Sequence, residues 1–338
     1  MKSIVQLIRA KDWWTYKLGP ILATAYATAI LVEESLFRIW PTLLLILAGL
    51  VLSATFASLI NDACDLEEDR LSGKSNQMED RSLLSQSIIL SISLMACLGL
   101  TLFFAKTPVI AGLYAADWLI FALYSIPPVR LKHRAVWGVV AMGLGESMLP
   151  HLFSAAMVAH AAQKQLPVLW WWLLAGWSLL AGFRAILWHQ LKDHENDQKS
   201  GVRTFTSIIP PHRIEQWVQK FLFPAEIVGF TGLMLMINQL YGWIFLILYG
   251  SVEFLRYKIW KISVTIIRPA DQDRLLLFEF YDFLFPLSSM IWAVTADTLN
   301  SWVLIVFLLL YINRVWWWAR DAYTLLRWEL PKRIHLSK

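Results

Sequence analysis

The chain of 338 residues is 57% apolar and only 16% charged, and it carries 19 Trp and 10 Tyr. That composition excludes a soluble enzyme, a disordered segment and a coiled coil, and fits a protein whose amphipathic rings meet two membrane interfaces many times. Two cysteines, Cys64 and Cys97, are too few for a disulfide framework, and the net charge of +5 indicates no nucleic-acid partner, because in a membrane chain cations first report orientation.

Residues 1–17, MKSIVQLIRAKDWWTYK, form an amphipathic segment that is too charged for a cleaved signal peptide and has no small-residue cleavage site. Ten apolar stretches follow, each near the 20 residues that cross a hydrocarbon layer: 18–32, 39–60, 83–105, 108–126, 135–160, 167–190, 220–238, 240–256, 276–296 and 300–318. A basic tail, 319–338, completes what reads as one integral membrane domain over 1–338, an all-α polytopic bundle of nine to ten spans. Placing the amino terminus on one side puts 26 of the 30 Lys and Arg on that side. The other side receives Arg38, Lys106 and Lys164, and Arg184 falls inside a span. By the positive-inside rule the crowded side, with the amino terminus and the long loops, is cytoplasmic, and function is expected there.

The loop after the second stretch reads NDACDLEEDRLSGKSN. On a helix Asn61, Asp65 and Asp69 stack at every fourth residue, drifting about 40° per step. Asp62 stands beside them as a further ligand or as a partner for a nearby cation. The loop after the sixth stretch, KDHENDQKSGVRTF, repeats the spacing with Asp193 and Asp197, and both loops share the frame D-x3-D-x3-G. Basic loops recur as well: Arg130, Lys132 and Arg134 follow the fourth stretch, and Arg256, Lys258 and Lys261 follow the eighth. The pattern predicts two four-helix pseudo-repeats, each with an acidic loop and then a basic one.

Carboxylates and an amide converging at a membrane edge call for a hard cation. Mg²⁺ is bound by one or two carboxylates together with waters and phosphate oxygens, so a diphosphate is the natural bridge between two such loops. The candidate metal ligands are Asn61, Asp62, Asp65, Asp69, Asp193 and Asp197, of which Asp65, Asp69, Asp193 and Asp197 are the candidate catalytic set. Lys74, Tyr124, Arg130, Lys132, Arg134, Lys199 and Arg203 are candidates to hold the diphosphate as charge grows on it. The surrounding apolar helices suit a hydrocarbon tail.

These residues resemble the UbiA superfamily of intramembrane prenyltransferases, of the aromatic, quinone and chlorophyll types. Asn61, Asp62, Asp65 and Asp69, with Arg70, fit that family's N-D-x2-D-x3-D motif. Asp193 and Asp197 fit its D-x3-D, continued by Lys199, Gly201 and Thr204. YSIPPVRLK looks like the stretch found in branches acting on homogentisate and chlorophyllide, and WWTYKLGP is similar to the family's start. The resemblance implies a helical bundle, usually of nine spans, and two Mg²⁺ ions held by the two Asp motifs. It also implies a prenyl diphosphate ionised to an allylic cation, and a hydrophobic acceptor, aromatic or a lipid precursor, that attacks it. A UbiA-like terpene cyclase is the neighbouring alternative, and a membrane transporter the more distant one.

Several ionisable residues fall inside spans, where such groups are costly and face the bundle interior: Glu146, Arg184, His189, Glu253, Glu279 and Asp282. Arg184 and His189 either point to an acceptor pocket or pair between helices. Glu279 and Asp282 either take a basic partner or orient an acceptor. The Trp runs 170–172 and 316–318 read as interfacial belts.

Overall fold

In the computed structural model, residues 4–73, 75–195, 204–269, 274–324 and 327 are described. Among them there is no β-strand, only two isolated bridges, Ala135 with Thr204 and Thr265 with Leu275. After a single turn, Ile4–Leu7, the helices are α1 (Ala10–Leu31), α2 (Trp40–Cys64), α3 (Leu66–Ser72), α4 (Leu83–Phe103) and α5 (Pro108–Ser125). Next comes α6, which runs from Val136 to Ala161 through a π-helical turn at Leu144–Met148, and then α7 (Val168–Lys192). Helix α8 runs from Pro211 to Ile237 through a π-turn at Val218–Leu222, and α9 is Leu240–Trp260. Helix α10 joins the π-turn Phe280–Leu284 to Phe285–Ala296, and α11 (Ser301–Leu310) and α12 (Ile312–Thr324) follow.

Local chemistry sets the boundaries. Proline stands in the first turn of α2, α5 and α8, where no N–H is needed. The Ser82 hydroxyl caps α4 by accepting the Ser85 N–H, and Gly73, at φ 68°, ends α3 in the left-handed conformation.

Helix α1 is the axis of the bundle. It packs on α6 and α10 and also touches α2 and α8. Every residue from Leu22 to Ala29 is buried, as expected of a helix surrounded by others, and the small side chains among them let its neighbours close in. Gly19 allows the tightest approach, since a Cβ there would lie 2.1 Å from the Asp282 carbonyl oxygen. The helix also begins at Ala10, so the amphipathic segment 1–17 is not separate from the first stretch; its second half is that helix's first turns.

Helices α2, α4, α5, α7 and α8 are long and apolar enough to cross a membrane, and the bent pair α11–α12 would make a sixth. On α4, Ile88, Ile92, Met95 and Leu102 are all exposed, an apolar outer stripe at helical spacing that suits lipid.

The last stretch departs from the sequence reading. Residues 300–318 are expected to be one span, but the chain breaks at Tyr311 and the two halves meet at 80°. Polar contacts hold the second half against the bundle: buried Arg314 reaches Asp282 at 3.5 Å and stacks on Tyr16, while Asp321 accepts from Arg256 at 2.8 Å. The Trp runs divide as well, with Trp170 buried and Trp172 and Trp316 exposed.

Candidate functional site

The first acidic motif sits where α2 passes into α3. Asp65 is the junction residue, yet its N–H reaches the Asn61 carbonyl at 3.0 Å and its own carbonyl accepts the Asp69 N–H at 2.8 Å. The helical register therefore runs through the break, and Asn61, Asp65 and Asp69 line one polar recess with Arg9 and Ser75. This is the stripe expected from the spacing.

Asp62 lies on another face and is buried. One oxygen takes the Arg9 guanidinium at 3.0 Å and the other the Gln77 N–H at 3.3 Å, so of its two anticipated roles the geometry displays the cation partner. Asn76, which sequence reasoning missed, locks the loop. Its amide donates to the Asp69 carboxylate at 2.8 Å and to the Asp62 carbonyl at 2.7 Å, and its oxygen accepts the Met78 N–H at 2.8 Å.

The basic loop after α5 closes over the same carboxylates. Arg130, in a left-handed conformation at φ 37°, donates to Asp65 at 3.0 Å and to the Cys64 carbonyl at 3.2 Å, and pairs with Glu68 at 2.9 Å. Lys132 pairs with Asp65 and stands 3.7 Å from Glu68. Strained backbone of this kind clusters at functional sites. His133 comes within 3.5 Å of Glu68. Burial holds its imidazole below the ordinary histidine range, although Glu68 acts in the opposite sense. Arg134 is not part of the group: it is exposed and donates to the Pro128 carbonyl at 2.9 Å.

Of the second motif, Asp193 ends α7 and is exposed, with its N–H on the His189 carbonyl at 3.0 Å. Asp197, Lys199 and Arg203 lie outside the described residues, as does Lys74. Thr204, further along, bridges Ala135 at the end of the basic loop. Nearby, His189 is within electrostatic reach of Asp193 and of the Lys17–Glu146 ion pair. Glu146 belongs to the π-turn of α6, a helical irregularity that recurs at functional sites.

Below the recess opens a cavity of about 280 Å³ between α1, α2, α5 and α6. Arg9 and Asn61 line both, so the polar recess is its mouth. Lys17, Tyr124 and Glu146 stand in its wall, as do the apolar Ile21, Leu50 and Phe121. Tyr124, a candidate to hold the diphosphate, thus stands at the cavity. The cavity also contains Asp117, a lone carboxyl in an apolar helix that sequence reasoning passed over.

Among the described residues, no three His, Cys, Asp or Glu side chains are grouped closely enough to hold a metal by themselves. The donor set nonetheless fits Mg²⁺, a hard ion that keeps waters and takes phosphate oxygens beside one or two carboxylates. Asn61, Asp65 and Asp69 supply such oxygens in one recess.

The other buried charges serve structure. Arg184 does not face the cavity; it forms a double hydrogen bond to Glu226, 2.6 Å on each arm, with both side chains fully buried. Glu279 pairs with Arg256 and Arg274, and Glu253 joins them. Arg256, anticipated in the second basic loop, is consumed by this network.

The profile of the UbiA prenyltransferase family matches residues 21–281. Among solved structures, a UbiA homolog from Archaeoglobus fulgidus bound to DMAPP and Mg²⁺ superposes with a TM-score of 0.60 at 16% identity, covering 86% of this chain and 98% of that one. The homolog bound to GPP and Mg²⁺ gives 0.60 at 17% identity, with 88% and 99% covered. The form bound to Cd²⁺ gives 0.54 at 17%, with 84% and 97% covered. At such identity the likeness is one of fold. No curated protein matches the chain.

Proposed function

The chain belongs to the UbiA prenyltransferase family, and from that premise we propose that it is a Mg²⁺-dependent intramembrane prenyltransferase moving a polyprenyl group from a prenyl diphosphate to a hydrophobic acceptor, aromatic or a lipid precursor. The observation that carries this reading is the alignment of Asn61, Asp65 and Asp69 in one recess, faced by Arg130 and Lys132 and opening into an apolar cavity. Solved structures of the same fold with DMAPP or GPP and Mg²⁺ support it.

In this reading Asn61, Asp65 and Asp69 hold one Mg²⁺ and Asp193 and Asp197 a second. When bound, Mg²⁺ supplies charge neutralisation for the diphosphate. Arg130 and Lys132, which pair with Asp65 and Glu68, are placed to donate to the diphosphate oxygens. The allylic C–O bond breaks with its electron pair leaving on the diphosphate, and that growing charge is what the two cations stabilise. The acceptor then donates an electron pair to the allylic carbon, and the proton it loses passes to the released diphosphate or to solvent. Arg9, Asp62 and Asn76 keep the motif in register, and the cavity walls exclude water from the cation.

The family relation and the long apolar helices support an integral membrane protein. We assign it nine to ten spans arranged as two four-helix pseudo-repeats, with the amino terminus and the motif loops cytoplasmic on the asymmetry of Lys and Arg. Purified protein given Mg²⁺, prenyl diphosphates and an acceptor panel, read by mass spectrometry, tests the function. Asp65→Ala and Asp193→Ala are each expected to abolish transfer while the protein stays folded in detergent, and full activity in both variants would refute the assignment. A cyclised hydrocarbon formed from the donor alone would replace transfer with cyclisation.

A further inference from the structure

Helix α12 leaves α11 at 80° and lies across one end of the bundle. That end is also the end of the motif recess, since Arg9, just before α1, reaches Asp62 there. The opposite end is marked by Asn300, which accepts the Ser35 hydroxyl and the Phe37 N–H in the turn after α1. The inner face of α12 is pinned at successive turns. Arg314 meets Asp282 and stacks on Tyr16, Trp318 takes the Arg256 guanidinium over its ring at 5.1 Å, and Asp321 accepts from Arg256. Arg256 in turn holds Glu279 at 3.0 Å. Helix α10 thus serves as a ruler: counted from its far end at Ala296, Asp282 lies about 21 Å along it and Glu279 about 25 Å. Between Arg314 and Asp321 α12 advances about 10 Å along itself, while its anchors move only about 4–5 Å along the bundle. The outer face carries Trp316, Arg320 and Tyr323 at helical spacing, with Arg327 just beyond, and all four are exposed. Arg327 lies over the Tyr323 ring at 5.7 Å, and Arg320, within 3.5 Å of Asp321, keeps 62% of its side chain exposed. From Arg320 to Lys338 the sequence has Arg320, Arg327, Lys332, Arg333 and Lys338 against Asp321 and Glu329.

We propose that α12 is an interfacial helix that lies close to the membrane plane and binds anionic phospholipid headgroups through Arg320 and Arg327. This goes beyond prenyl transfer and rests on the integral-membrane reading alone. A hydrocarbon layer is about 30 Å thick, so anchors some 21–25 Å from the far end of α10 set α12 roughly 5–9 Å below the near boundary. That is the depth at which amphipathic helices lie between headgroups and acyl chains. Lipid is therefore what covers the outer face. At this level the rings of Trp316 and Tyr323 meet their preferred environment, and the two arginines extend their stems through the apolar layer to bring their guanidinium groups among the headgroups. A guanidinium matches a phosphate with paired donors, and each basic side chain near an anionic surface raises the local anionic lipid about fivefold. A second copy of the chain fits this face poorly, because the same stripe on both copies would set cation against cation.

The test reads depth and headgroup preference at the helix itself. The full chain, with Cys64→Ser and Cys97→Ala, is labelled with a small fluorophore at Trp316→Cys or, separately, at Tyr323→Cys, and reconstituted in phosphatidylcholine nanodiscs. Quenching by phosphatidylcholine carrying a nitroxide near the top or the middle of its chain gives each probe's depth. The two depths are expected to agree within about 5 Å, whereas a helix continuing along the span would separate them by about 10 Å. Traces of phosphatidylglycerol and of phosphatidylcholine, each carrying the nitroxide near the headgroup, are then compared at the Trp316→Cys probe. Phosphatidylglycerol should quench at least threefold more strongly, and Arg320→Gln with Arg327→Gln should bring the ratio to about one. Both arginines are exposed, and gel filtration checks that the variants stay folded. Depths about 10 Å apart, a ratio near one in the native sequence, or a ratio unchanged by the double substitution would overturn the proposal. So would probes that no lipid quenches, which would mean that protein covers the face. None of these outcomes touches prenyl transfer, because the readout needs neither donor nor acceptor.

Discussion

Replacing Arg184 by Met separates a structural from a substrate-facing role for the buried arginine of α7. In the native protein its guanidinium donates twice to Glu226 at 2.6 Å, and also to the carbonyls of Ile266 at 3.2 Å and Leu276 at 3.0 Å. It lies between the rings of Phe223 and Phe278, at 4.9 and 4.5 Å. Arg184→Met leaves the Glu226 carboxylate fully buried with the Tyr281 hydroxyl, at 3.2 Å, as its remaining side-chain donor. Removing one partner of such a pair costs about 3–5 kcal/mol, whereas replacing both with apolar groups of similar size is close to neutral. The single variant is therefore expected to unfold about 4–7 °C below wild type in the same detergent. Arg184→Met combined with Glu226→Leu should recover most of that loss and keep the wild-type KM for the acceptor. A single variant as stable as wild type would refute the reasoning. So would a double variant that stays folded but loses acceptor affinity, since that would return Arg184 to the substrate.

Asn76→Ala removes the donor to Asp69 and to the Asp62 carbonyl; a loss of about 1–3 kcal/mol in stability is expected, together with a raised Mg²⁺ requirement in a metal titration. For His133, burial lowers the folded pKa below the ordinary value. The unfolded chain thus takes up its proton at higher pH than the folded one, and the stability this neutral imidazole contributes is present above the ordinary histidine pKa and lost as pH falls from there toward the lowered value. Melting curves between pH 7.5 and 5.5 should show that decline in wild type and a flatter one in His133→Gln. Chelating Mg²⁺ with EDTA should abolish thermal stabilisation by an unreactive geranyl diphosphate analogue, which at a hundredfold excess over its Kd would otherwise contribute about 2.7 kcal/mol.

Much of the site was legible because charge is scarce in this chain, so each acidic cluster stands out against an apolar background. The stripe of Asn61, Asp65 and Asp69 depends only on spacing along one stretch of helix, and the register persists through the junction at Asp65. The same holds for the apolar stretches and for the family, whose motifs are short and ordered along the sequence.

What spacing could not supply was who meets whom across the bundle. Arg9 and Asp62 are 53 positions apart, Arg184 and Glu226 are 42, and Ser53 and Asp117 are 64. Nothing in the local pattern distinguishes a cation that faces substrate from one consumed by a partner. Arg130 and Lys132 converge on Asp65 while Arg134 turns away, although all three share one basic loop. The last apolar stretch reads as one span because hydropathy averages over its length. The tertiary structure breaks it at Tyr311, because the ion pairs of Arg314 and Asp321 hold α12 against the bundle. Sequence alone therefore determined the class, the membrane setting and the spacing of the candidate metal ligands, all of which follow from local periodicity and rare charge. Only the packing of α1, α2, α5 and α6 decided the cavity, its mouth and the carboxyl in its wall, because those depend on the register between helices distant in the chain.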